Sequence, residues 1–155
     1  MEEMLANQYF MMRKYNLAAK ELELSIQLTQ NKRLTKKLII CYTQINKPRE
    51  ALDLFLSLIS TDIEVITDTN PQADDCPCPE LIANIENDVV TYENEFTKFY
   101  VLGLLLLYCN INESLKYFEK ARQKNPSEPK IYLIIENLKK NLFQTINKSQ
   151  QKELI

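Results

Sequence analysis

The chain is expected to be all-α, a right-handed solenoid of stacked helical hairpins, and two observations carry that expectation. The first is a spacing that occurs three times. Val101, Leu102, Leu105, Ser114, Phe118, Ala121 and Pro126 follow at intervals of one, three, nine, four, three and five residues. Leu38, Ile39, Tyr42, Ala51, Phe55, Leu58 and Ile63 repeat the series, as do Leu5, Ala6, Tyr9, Ala18, Leu22, Ser25 and Gln30. A shared period constrains a fold more than any local feature. The second is composition: one Gly and six Pro among 155 residues leave little to interrupt helices.

Steps of three and four on either side of a nine-residue gap describe two helices, each with one apolar stripe, joined by a short polar turn. The turns read Arg13-Lys14-Tyr15-Asn16, Ile45-Asn46-Lys47-Pro48 and Cys109-Asn110-Ile111-Asn112. A small residue opens each second helix (Ala18, Ala51, Ser114) and lets the backbones approach. A large one four positions later (Leu22, Phe55, Phe118) fills the space between them. Neither helix buries its stripe alone, so successive pairs must stack.

Taken in order, helices are expected over about Glu2 to Met12, Leu17 to Thr29, Lys32 to Gln44 and Pro48 to Ile59. Pro48 suits a first helical turn, where its missing N–H costs nothing. The ruler then jumps by 63 residues between its second and third occurrences, where adjacent repeats need about 34, so residues 60–95 form an insert. Ser60 to Pro79, rich in Thr, Asp, Asn and Pro, reads as a long loop. Glu80 to Glu93 reads as an extra helix carrying Leu81, Ile82, Ile85, Val89 and Tyr92. The third pair follows, then a capping helix over about Lys130 to Gln144 whose polar face includes Glu136, Lys139 and Lys140. The helical domain spans 1–146, and 147–155 reads as a polar, fraying tail.

At the ruler residues the chain resembles the tetratricopeptide repeat (TPR) family, whose signature is small, aromatic, Ala, aromatic, Ala, Pro at this spacing. It departs from the family in having no Trp, in placing Ala6, Ile39 and Leu102 where Gly or Ala is usual, and in carrying the closing Pro only at Pro126. The resemblance implies a concave face lined by the first helix of each pair. On it would stand Glu3, Asn7, Phe10 and Met11; Arg33, Lys36, Lys37, Ile40 and Gln44; and Phe96, Phe99, Tyr100, Gly103 and Leu106. That is a basic stretch beside an aromatic one, suited to a protein or peptide segment with acidic groups and apolar anchors. The family's carboxylate clamp is broken here: Asn7 stands where its Asn would be, but Glu3 replaces the Lys and Lys37 the second Asn.

Charge narrows the function further. Residues 1–61 carry nine bases and six acids, 62–97 ten acids and no base, and 98–155 ten bases and five acids. The insert is thus an acidic block between basic ones, either a solvated loop or a segment that folds over the basic surface and occludes it. A net charge of −2 argues against nucleic acid as a partner. No basic flank and apolar run suggests a signal peptide. Val101 to Leu107 is far short of the ~20 residues a membrane span needs. The expectation is a soluble, cytoplasmic protein with no membrane partner.

Without a single His the chain lacks the commonest general base and metal ligand, and its only glycine, Gly103, sits within a helix rather than a phosphate loop. No catalytic residues and no cofactor are expected. The one unusual constellation is Asp74-Asp75-Cys76-Pro77-Cys78-Pro79. Two thiols beside two carboxylates could bind a soft metal or cycle between dithiol and disulfide, although a structural zinc site wants four ligands at wider spacing. Cys41 and Cys109 read as helix thiols in a reducing compartment. Two functions follow: a non-catalytic scaffold, adaptor or chaperone working through its groove, or a small metal- or redox-responsive protein working through Cys76 and Cys78.

Overall fold

Helix-forming residues punctuated by asparagine set where each element begins. The computed structural model describes residues 2–70 and 72–153, and among them it is all-helical. The helices are α1 (Glu2–Met11), α2 (Tyr15–Thr29), α3 (Lys32–Gln44), α4 (Pro48–Asp62), a single turn α5 (Glu64–Thr67), α6 (Cys78–Glu86), α7 (Glu95–Leu106), α8 (Ile111–Lys124) and α9 (Pro129–Glu153). Three starts are capped by an asparagine side chain that satisfies otherwise orphaned N–H groups. Asn31 accepts from Arg33 N at 2.9 Å, Asn94 from Thr97 N at 2.8 Å, and Asn110 from Asn112 N at 3.0 Å and Glu113 N at 3.2 Å.

The turns joining α1 to α2 and α3 to α4 are built alike. Arg13 and Asn46 both adopt left-handed backbone, at φ 60° and 61°. Lys14 N donates to Tyr9 O at 2.9 Å and Lys47 N to Tyr42 O at 3.0 Å, closing each helix in the same way. The α7–α8 turn is tighter, with Asn110 N on Leu106 O at 2.7 Å. At the centre of each pair burial is alike: Ala18, Ala51 and Ser114 and their large partners Leu22, Phe55 and Phe118 are all fully buried, whereas Leu5, Gln30 and Pro126 at the ends of the ruler are exposed. Gly103 permits the closest approach, because a Cβ there would lie 2.8 Å from the Phe118 ring. Phe118 in turn stacks on Phe55, ring centres 5.7 Å apart, which couples α8 to α4.

Consecutive helices pack in sequence from α1 to α4, and from α7 through α8 to α9, while α4 touches both α7 and α9. The insert departs from expectation at both ends. Helix α4 continues to Asp62 and α5 follows at once, because Ile66 finds a fully buried place in the core. The extra helix ends at Glu86 rather than Glu93. Asp88 turns left-handed at φ 59° and Val89 N bonds Asn84 O at 2.8 Å, a stop that Asn and Asp tolerate better than most residues. Val89 is consequently 71% exposed, whereas Tyr92 reaches back to donate its hydroxyl to Thr43 O at 2.7 Å. The last helix runs on past Gln144 to Glu153, so the tail over its described residues is helical and exposed rather than frayed. None of these helices is long and apolar enough to cross a membrane.

Candidate functional site

The described part of the acidic segment 68–77 lies against α1 and α3, and its hold begins at one buried cation. Lys36, only 5% exposed, uses all three of its ammonium donors. Its Nζ reaches Val65 O at 3.1 Å, Thr69 Oγ1 at 3.1 Å and Asp74 Oδ2 at 3.2 Å. Beside it Arg13 donates to Asp75 Oδ2 at 3.3 Å. A third cation, Lys37, bonds Asn7 Oδ1 at 2.7 Å and lies 5.6 Å from the centre of the Phe10 ring. Burial holds the Lys37 ammonium below its ordinary value and neighbouring Lys36 adds to this, while Asp74 and Asp75 oppose it.

The loop is stiffened from within. Asn70 Oδ1 accepts from Gln72 N at 3.0 Å and Ala73 N at 3.1 Å, and Asn70 N donates to Asp74 Oδ2 at 2.9 Å. This is the side-chain turn chemistry of Asx residues. Partial burial pushes the Asp74 carboxyl up, but the Asn70 N–H and the Lys36 ammonium outweigh it, so the group sits below the ordinary carboxylate value.

Immediately beyond, Cys76 is half-buried and Cys78, the first residue of α6, is fully buried, their sulfurs 2.8 Å apart. The hydrogen bond from Cys78 lowers the Cys76 thiol pKa, with burial opposing and Lys36 assisting. Burial first, then the neighbouring Cys76, raises that of Cys78. The other two cysteines differ in burial. Burial pushes Cys41 up to about 12, and exposed Cys109 lies near enough for Cys76 to influence it. Asp74 and Asp75 point to Lys36 and Arg13 rather than to the sulfurs. Among the described residues no three Cys, Asp or Glu side chains gather as a metal would require. Asp74 and Asp75 are thus not brought together with Cys76 and Cys78 as one set of ligands.

The expected groove is not continuous. Phe10, Lys36, Ile40 and Tyr100 are 1%, 5%, 2% and 2% exposed and belong to the interior, Lys36 beneath the insert whose oxygens receive it. Arg33 and Lys36 line a hollow with Asp62, Glu64 and Asp74 at the C-terminal end of α4. Phe96 and Tyr100, their rings 5.2 Å apart, line another with Arg49, Leu52 and Asp53 at its opposite end. Phe99 turns to Tyr117 of α8, 6.2 Å between ring centres. Met11 is 63% exposed, and half-buried Gln44 bonds its neighbour Thr43 at 3.0 Å. What the fold does gather is Asn7, Phe10, Lys36 and Lys37, with Arg13 added.

Arg13 and Tyr108 are the residues that sequence reasoning passed over. Arg13 sits in a turn, and only the acid-rich block opposite gave it a partner. Tyr108, buried at the end of α7, donates its hydroxyl to Lys36 O at 2.5 Å and so fixes α3 beneath the insert; nothing in its local pattern marks it. Comparison with known proteins yields no matching family model, no similar curated protein and no similar solved structure.

Proposed function

We propose that this chain is a non-catalytic scaffold of TPR-like helical pairs that holds an acidic protein or peptide segment beside α1 and α3, and that its own insert occupies that place. The carrying observation is the seating of Asp74 on Lys36 and Asp75 on Arg13. An acidic turn seated on a cationic face, with the Phe10 ring beneath Lys37, is the chemistry expected of a guest. The matched turns at Arg13 and Asn46 and the full burial of Ala18, Ala51 and Ser114 with Leu22, Phe55 and Phe118 support the repeat reading. The second half of the expected groove, at Phe96 and Phe99, takes no part. A cytoplasmic setting suits four cysteines left as thiols.

A labelled peptide of residues 68–77 tests the proposal when titrated against the wild type and against the Asp74→Asn, Asp75→Asn double variant. Saturable binding is expected for the variant, whose own loop is weakened, and little for the wild type. Adding Arg13→Glu should abolish it. Absence of binding to the double variant at millimolar peptide would refute the site.

A further inference from the structure

The pair at the end of the insert has a use that a binding scaffold does not require. Pro77 lies between the two cysteines and Pro79 follows them, so the backbone that carries both sulfurs has little freedom. Cys78 is fixed by its burial at the start of α6, and Cys76 stands 2.8 Å away with part of its surface open. One accessible sulfur with a second, shielded sulfur in contact is the division of labour that thiol–disulfide exchange needs. We propose that Cys76 and Cys78 form a thiol–disulfide exchange site, with Cys76 attacking a low-molecular-weight disulfide and Cys78 resolving the mixed disulfide.

The step balances without another reagent. Cys76 ionises, and its thiolate attacks one sulfur of RS–SR. A Cys76–SR bond forms, the RS–SR bond breaks, and the departing thiolate takes up a proton. Cys78 then loses its proton to solvent and attacks the Cys76 sulfur, expelling the second thiolate, which is protonated in turn. The chain gives up two electrons and two protons, and RS–SR is reduced to two RSH. The lowered Cys76 and raised Cys78 thiol pKa values fit the order of events, since thiolate character selects the attacking sulfur. Closure would join two residues of the strip that also carries Asp74 and Asp75, so the redox state bears on the loop that seats against Lys36 and Arg13.

Oxidised and reduced glutathione serve as the probe, mixed at graded ratios with the full chain, followed by acid quench, alkylation of free thiols, trypsin and mass spectrometry. Cleavage yields one peptide, Glu50 to Lys98, that contains Cys76 and Cys78 and no other cysteine. The expected product is that peptide lighter by two hydrogens and unalkylated, with closure at least tenfold more favourable in the folded chain than in urea. Cys78→Ser should trap a glutathione adduct on Cys76, and Cys76→Ser should leave Cys78 at least tenfold slower to react than Cys76. Cys109→Ser should change neither result. The proposal fails if both cysteines stay alkylated at every ratio, if folded and urea-treated chains close alike, if Cys78 reacts first, or if Cys109 is the partner found.

Discussion

Lys36 is the residue on which the seating of the insert turns. A lysine ammonium left without partners in so enclosed a place would be strongly destabilising; here three oxygens receive it, one of them a carboxylate. Asp74→Asn removes the charge but keeps the shape, and it should cost about 1.5–3 kcal/mol, the usual range for a hydrogen bond to a charged group. Its pH dependence has a definite sign. Asp74 has a folded pKa below its unfolded one, so its contribution is present above the unfolded value of about 3.9 and lost as pH falls through the lower folded value. Thermal unfolding of wild type and variant should therefore differ at pH 7, with the gap narrowing as pH falls below the unfolded value. A gap that stays constant over that range would show that the pair contributes nothing.

At the scale of helices, the α7–α8 hairpin has the least tolerance. Gly103→Ala gains about 1 kcal/mol of helix propensity, but its methyl group meets the Phe118 ring at 2.8 Å. That ring cannot retreat because it is stacked on Phe55. Overpacking of this kind costs about 1–3 kcal/mol, so a net destabilisation of up to about 2 kcal/mol is expected in denaturant unfolding, and a stabilised variant would contradict the packing described. Most of the helices were legible in the sequence from periodic apolar spacing and the cap or turn residues near them, whereas α5, a single turn, lay within the stretch read as a loop. Val89 shows the limit: it continued the apolar spacing of α6, but left-handed backbone at Asp88 ended the helix before it. The last helix was read short because residues 147–152 are exposed, so its hydrophobic pattern stops before its backbone does.

For the molecule as a whole, the insert was the part the sequence could only half disclose. Its acid excess against basic flanks was compatible with a solvated loop as well as with an attachment. The pairs that realise it join residues 38 and 62 positions apart, Lys36 with Asp74 and Arg13 with Asp75, and no local pattern encodes such a match. The groove failed for a related reason. Family resemblance placed Lys36, Ile40, Phe10 and Tyr100 on an open face, whereas all four are buried, Lys36 beneath the same insert. Amide hydrogen exchange offers the most direct test of that covering. If the insert is seated as described, amides of residues 64–70, 72–78 and 34–41 should be protected in the wild type. Protection in 64–70 and 72–78 should fall together at least tenfold in the Asp74→Asn, Asp75→Asn variant while α8 is unchanged. Exchange of residues 72–78 at unfolded-chain rates in the wild type would contradict the account.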